Sequence, residues 1–274
     1  MNRRQLLTAE EVWRMYDDAE QRLTAPVSER MLDLAHLRPG MRVLDLATGR
    51  GEPAVRAALR VGPSGAVLGV DLSEALLGMA RERAAREGVS NLELRALNVE
   101  SLEGVPSAHF HVTLARWGLM YLDSPVTALS AARRATVPGG VLVAAVWAEP
   151  DRVPYFTLPR RVLAKYTSLP PIDLKAPGTF RYADVASLHK DFASAGWTLT
   201  HVEEMEIPVM EAATGADLVA WTRAFGLTRL LNDLPEEIQR AWEADLLREA
   251  EPLRRDGLVR LGGVTRIVVA TAAG

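Results

Sequence analysis

The sequence predicts an α/β fold built on a doubly wound, mostly parallel sheet, and three observations carry that expectation. Short apolar runs at residues 43–46, 66–70, 92–97, 110–115 and 141–147 alternate with stretches of helical periodicity. The first run passes through Asp45 into Gly49-Arg50-Gly51, a turn in which glycine permits close backbone approach to a ligand, and then into a helix from Ala54. The second run ends in Asp71, 20 residues after Gly51, the offset at which an acid can accept hydrogen bonds from a ribose diol.

Composition narrows the class. With 274 residues, 48% hydrophobic and 24% charged, the chain is globular rather than disordered and long enough for a substantial core. A net charge of -3 from 32 basic and 35 acidic residues argues against a general nucleic-acid binder or a polybasic membrane anchor. Absence of cysteine excludes disulfides, thiolate catalysis and Cys-ligated zinc, and fits a cytoplasmic location. The first residues are basic, but charges resume at Glu10 and Glu11, so no secretory apolar segment forms; the longest apolar run, 141–148, is of strand length and gives no stable membrane insertion.

In chain order, Thr8 and Glu11 form a possible capping box for a helix to about residue 23, with Val12, Met15, Tyr16, Ala19 and Leu23 as its stripe. A second helix is expected from near Pro26 to Arg38-Pro39-Gly40. Residues 1–40 thus read as an N-terminal helical lid over the ligand mouth, or equally as padding for a sheet edge. Residues 41–147 form the ligand-binding core. Within it, Pro53 suits the first turn of its helix, Ser73 and Glu74 open a helix carrying Leu76, Leu77, Met79 and Ala80, and residues 125–135 form another. The 137–140 segment reads as a turn before the fifth strand.

Residues 148–274 read as the remainder of the sheet with helical substrate-cap insertions. Helices are expected around 158–166, at 184–195 with Gly196 as cap, at 217–232 and at 235–249; 257–263 reads as a turn. The runs 197–207 and 265–270 can pair antiparallel at the sheet edge, which brings the sheet to seven strands.

The ligand follows from charge. Gly49-x-Gly51-x-x-Ala54 formally satisfies a dinucleotide pattern, so NAD and FAD must be weighed. Such a turn places a pyrophosphate at the helix N-terminus. Asp45 and Glu52 flank this mouth; they would repel a pyrophosphate and suit a ligand carrying an ammonium and a sulfonium. No Gly-x-x-x-x-Gly-Lys pattern is present, which disfavours a P-loop enzyme. The pattern points to S-adenosylmethionine.

On these residues the chain resembles the class I S-adenosylmethionine-dependent methyltransferases with their Rossmann-like sheet, in the group of quinone-biosynthesis C-methyltransferases and small-molecule methyltransferases of secondary metabolism. The resemblance is strong over 41–147 and looser elsewhere. It implies that Ala47, Gly49 and Gly51 line the methionine and ribose, that Asp45 orients the amino end, and that Asp71 takes the ribose hydroxyls. Leu72 and Leu76 would lie near the adenine, Asn98 stands where an acid usually accepts from the adenine amino group, and Val99 lies beside it. Ala115 and Arg116 would reach the methionine moiety. Ala47 replaces the family's first glycine, which a small residue can do if the backbone keeps a negative φ.

Methyl transfer is an in-line displacement in which the protein supplies alignment and a shaped cavity, so a base is optional. Tyr16, Trp117, Met120, Tyr121, Trp147, Tyr155 and Phe156 are candidate walls of the acceptor pocket, and Arg116 can bind an acidic acceptor. Tyr16, Tyr121 and Glu149 are the candidate catalytic groups. His109 and His111 lie at the amino end of the fourth strand, away from the site, with no carboxylate nearby in sequence, so no metal is expected. The resulting expectation is methylation at carbon or oxygen of a small, partly apolar or aromatic metabolite by a monomer or homodimer without nucleic-acid partners. Alternatives are N-methylation of a small amine, a non-catalytic S-adenosylmethionine-binding scaffold, and an NAD-dependent oxidoreductase.

Overall fold

The structure is a computed structural model in which residues 9–272 are described. Its first strand, β1 (Arg42–Leu46), is buried on both faces, with Val43 and Leu44 fully inaccessible and Leu46 nearly so. It pairs in parallel with β2 (Ala66–Asp71) on one side and with β4 (Phe110–Arg116) on the other. β3 (Leu92–Ala96) adds outside β2, and β5 (Thr136–Trp147) adds outside β4, again in parallel. Near-continuous apolar strands of this kind need helices on both faces, and α2 (Ala54–Val61), α3 (Glu74–Arg86) and α4 (Pro125–Ala135) intervene between them. The seven-strand path is β3-β2-β1-β4-β5-β8-β6, with β6 (Trp197–Ala212) at its edge and β8 (Leu258–Ala272) antiparallel to β5. A two-residue eighth strand, β7 (Arg254–Arg255), pairs with β8. The strand order reverses between β1 and β4, which opens a crevice at their carboxyl ends.

Several local expectations are corrected. α1 (Ala9–Leu34) is one continuous helix with Pro26 inside it, where two were expected. Burial of Val27, Met31 and Leu32 on its inner face outweighs the hydrogen bond that Pro26 removes. The Thr8 half of the proposed capping box lies outside the described residues. Residues 258–263 are strand: a Cβ on Gly262 would lie 1.8 Å from the Ile207 carbonyl oxygen, and one on Gly263 2.6 Å from the Val153 Cα. These glycines serve close backbone approach, not reversal. The 137–140 turn is likewise the opening of β5, irregularly paired opposite Phe110 and Val112. The helix expected at 217–232 is broken into α7 (Gly215–Thr222), a π-helical turn Arg223–Leu227 and a short α8 (Thr228–Asn232).

The chain forms two compact units that interleave in sequence, where the pattern suggested segments 1–40, 41–147 and 148–274. One comprises the described residues up to Thr24, Glu149–Ile172 and Glu206–Val264. It is helical, with α5 (Pro154–Leu163) and α9 (Glu236–Ala250) packed around Trp242, whose indole N–H donates to the Pro159 carbonyl at 3.1 Å. The other comprises Ala25–Ala148, Asp173–Met205 and the described residues from Thr265; it holds the parallel sheet and α6 (Val185–Ser194), which Asp184 caps through its carboxylate.

Candidate functional site

The site is built from loops at the carboxyl ends of the parallel strands, all within the sheet-bearing unit. After Leu46 the chain turns through Ala47 at φ 52, Gly49 at φ 53 and Gly51 at φ 85. The Thr48 N–H still donates to the Val70 carbonyl at 2.9 Å, which ties the start of the turn to β2. The Gly49 N–H donates to one Asp71 carboxylate oxygen at 2.8 Å and the Ser73 N–H to the other at 2.9 Å. Asp71 therefore joins the glycine turn to the start of α3, where the Ser73 hydroxyl accepts from the Leu76 N–H. Leu76 is half-buried and Leu72 exposed. The Leu97 N–H bonds to the Asp71 carbonyl, and this brings Asn98 and Val99 to the same rim; Val99 is buried, and exposed Asn98 accepts the Glu100 N–H.

Ala47 departs from the condition set for it. Its backbone is left-handed, a conformation that costs an L-residue about 1–2 kcal/mol. Its methyl group lies where Gly118, after β4, lacks one: a Cβ on Gly118 would stand 2.6 Å from the Ala47 Cβ.

The two acids at the mouth behave differently. Asp45 is fully buried; its Oδ2 accepts the Thr48 hydroxyl at 2.6 Å, and its Oδ1 has no hydrogen-bond partner among the described residues. Burial pushes its pKa up to about 7 against the Thr48 hydrogen bond and the Arg116 charge, with Glu52 adding to the rise. Glu52 does not face a ligand as a bare charge. Burial would raise its pKa, yet Arg116, Arg83 and Arg56 hold it below the ordinary value. Its oxygens accept from Arg83 at 2.5 Å and Arg56 at 2.9 Å, and Arg83 is itself buried on α3. Arg56 and Arg60 continue the network to Glu29, and Arg60 to Asp33, on α1. Asp45 alone keeps an unsatisfied demand for positive charge. A buried carboxylate oxygen with no donor fits an ammonium, and fits a pyrophosphate badly.

At the end of β4, Ala115 is buried and Arg116 half-buried, with its guanidinium carbon 4.6 Å from the centre of the Trp117 ring. Trp117 is left-handed at φ 54 and stacks on Trp147 with centroids 4.7 Å apart and planes 9° apart. Its indole N–H donates to the Thr265 hydroxyl at 2.9 Å, which donates to the Val146 carbonyl. Met120 is wholly buried, while Tyr121 is exposed and shares a hydrogen bond with Thr179.

The remaining candidates belong to the helical unit. Tyr16 lies 4.4 Å from Trp221 and 5.7 Å from Phe225, and the Trp221 indole donates to the Tyr155 hydroxyl, whose ring meets Phe156 edge-on. Trp221 and Phe225 were not singled out from the sequence; their four-residue spacing on an expected helix was the available signal. Arg83 and Thr265 were also missed, and nothing local marks them. Burial raises the pKa of the half-buried Tyr16 phenol, helped by Asp217. Glu149 makes an exposed ion pair with Arg152 at 3.3 Å. His111 Nδ1 accepts the Arg42 N–H at the amino end of β4, and no metal-holding group of side chains occurs among the described residues.

An open α/β sheet with a glycine turn and an acid at its switch point defines a protein that binds an adenosine-type ligand. Residues 37–162 match the family model described as a methyltransferase domain. The chain is 28% identical over 246 residues to nocamycin O-methyltransferase of Saccharothrix syringae, covering 86% of each chain. It is 33% identical to the ubiquinone/menaquinone biosynthesis C-methyltransferase UbiE of Ectopseudomonas mendocina, a match spanning 43% of this chain and 46% of that one, so the chain spans about half the length of this relative. The fold is that of a SAM-dependent methyltransferase from Aquifex aeolicus, at TM-score 0.54 and 19% identity over 72% of this chain and 92% of the other. Residues 37–162, a little under half of the chain, are thus similar to a methyltransferase domain, and the sheet has the fold of such proteins.

Proposed function

We propose that the protein transfers the methyl group of S-adenosylmethionine to oxygen or carbon of a small, partly apolar metabolite. The observation that carries this reading is the orphaned, buried Asp45 oxygen beside the glycine turn, inside the segment matched by the methyltransferase model. Asp45 would hold the cofactor's amino end, the backbone at Ala47, Gly49 and Gly51 its methionine and ribose, Asp71 the ribose hydroxyls, and Leu72, Leu76, Asn98 and Val99 the adenine. When bound, the cofactor supplies an electrophilic methyl group on sulfonium. The chain's own part is to align and to exclude water: Trp147 is buried at the end of β5, and Trp117 stacks on it.

No helix among the described residues is long and apolar enough to cross a membrane, and the proposed setting is cytoplasmic, with a small-molecule partner, no nucleic acid, and a monomer or homodimer. Calorimetry with S-adenosylmethionine, S-adenosylhomocysteine and NAD tests the cofactor reading, and tight binding of NAD alone would sink it. Donor consumption across a panel of small acceptors tests turnover.

A further inference from the structure

Resting on the reading that this site takes S-adenosylmethionine, we propose that residues 173–179 form a strap that opens and closes beside the carboxyl end of β4, latched by the Tyr121 and Thr179 hydroxyls, and that an occupied cofactor site favours the closed form. The stretch from Asp173 to Ala183 contains neither helix nor strand. Its far end is fixed: Phe180, Tyr182 and Ala183 are buried, and the Arg266 guanidinium donates to the Ala183 carbonyl at 2.9 Å. Its near end is not. Asp173, Leu174 and Lys175 are exposed, and the Asp173 carboxylate folds the segment on itself by accepting the Lys175 N–H at 2.8 Å and the Ala176 N–H at 3.3 Å. A segment with so little buried surface opens at low cost in free energy.

The strap is held down by the single helical turn Leu119–Tyr121 that follows β4. The Gly178 N–H donates to the Met120 carbonyl at 2.9 Å, the Tyr121 and Thr179 hydroxyls share a hydrogen bond at 3.1 Å, and the Arg181 guanidinium donates to the Leu122 carbonyl. Leu119 and Met120 are buried, so the turn is a firm anchor, while the Tyr121 side chain is half exposed and its hydroxyl pair is the contact that water can replace. The same turn reaches the cofactor side. It starts from Gly118, where a Cβ would stand 2.6 Å from the Ala47 Cβ, so the glycine turn and the anchor of the strap are in direct contact with no slack between them. A ligand that fixes Ala47 thereby steadies the anchor, and through it the strap. Tyr121 is in this arrangement a positioning residue that acts through Thr179.

The test is limited proteolysis of the full chain. Its lysines are Lys165, Lys175 and Lys190, so a lysine-specific endoprotease reports on the strap through the cut after Lys175, and the rate of that cut follows the open population. Saturating S-adenosylhomocysteine should slow it about five-fold. Without ligand, Tyr121→Phe and Thr179→Val should each speed it about three-fold or more, Thr179→Ser should match the wild type, and the cut after Lys190, on α6, should keep its wild-type rate throughout. Equal rates after Lys175 in the wild type and Tyr121→Phe, an equal acceleration after Lys190, or S-adenosylhomocysteine that binds in calorimetry without slowing the cut would overturn the proposal. The wild-type ligand comparison stands even where a variant folds poorly. Failure of S-adenosylhomocysteine itself to bind would instead overturn the cofactor reading.

Discussion

A carboxyl group as deeply buried as Asp45 folds more readily with its proton on, and at the residue scale this sets the pH behaviour of the site. Its folded pKa of about 7 lies above the ordinary 3.8, so its contribution to stability is fully present below pH 4 and is lost as pH rises through 7. Ligand binding runs the other way, because an ammonium needs the ionised form. Asp45→Asn should therefore raise stability above pH 7, by up to about 4 kcal/mol, while weakening S-adenosylmethionine binding; denaturant melts and calorimetry from pH 5 to 9 measure both. In the wild type, cofactor affinity should fall as pH drops below 7. Ala47 makes a second residue-scale case. Replacing it with glycine removes the left-handed strain, and Ala47→Gly should stabilise the protein by about 1 kcal/mol in urea titration. Reading that position as merely small missed the strain, because the sign of φ is not written in a side-chain pattern.

At the scale of elements, the Glu52 network ties α1, α2, the turn and α3 together through Glu29, Arg56, Glu52 and Arg83. The acid was visible in the sequence, but its partner, thirty-one residues away on another helix, was not. The electrostatic argument for a cationic ligand consequently rests on Asp45 alone. Arg83→Met leaves one oxygen of the buried Glu52 without its donor, with Arg56 still on the other, and should cost about 1–3 kcal/mol, read as a lowered denaturation midpoint, with Arg83→Lys recovering part of the loss. The parallel strands were legible because each is a short apolar run between punctuating residues. Gly262 and Gly263 were misread because glycine has the same letter whether it reverses a chain or lets two backbones touch. Pro26 was taken as a boundary, since periodicity registers a missing N–H and not the buried face that compensates for it.

At the scale of the whole molecule, every proposed cofactor contact lies in the sheet-bearing unit, while Tyr16, Tyr155 and Phe156 group with Trp221 and Phe225 in the helical one. Hydrogen exchange should accordingly show protection by S-adenosylhomocysteine at residues 45–52, 71–76 and 98–99, and protection confined to the helical unit would refute the assignment. The glycine turn and the Asp71 loop were legible because each is one contiguous segment after a strand; the aromatic group was less so, since it draws on three separated segments. The Ala47 and Gly118 pair gives the chain a constraint of another kind. With room for one methyl between them, the two positions are coupled: among relatives, alanine at 118 should appear only where glycine stands at 47, and Gly118→Ala should be tolerated only after Ala47→Gly.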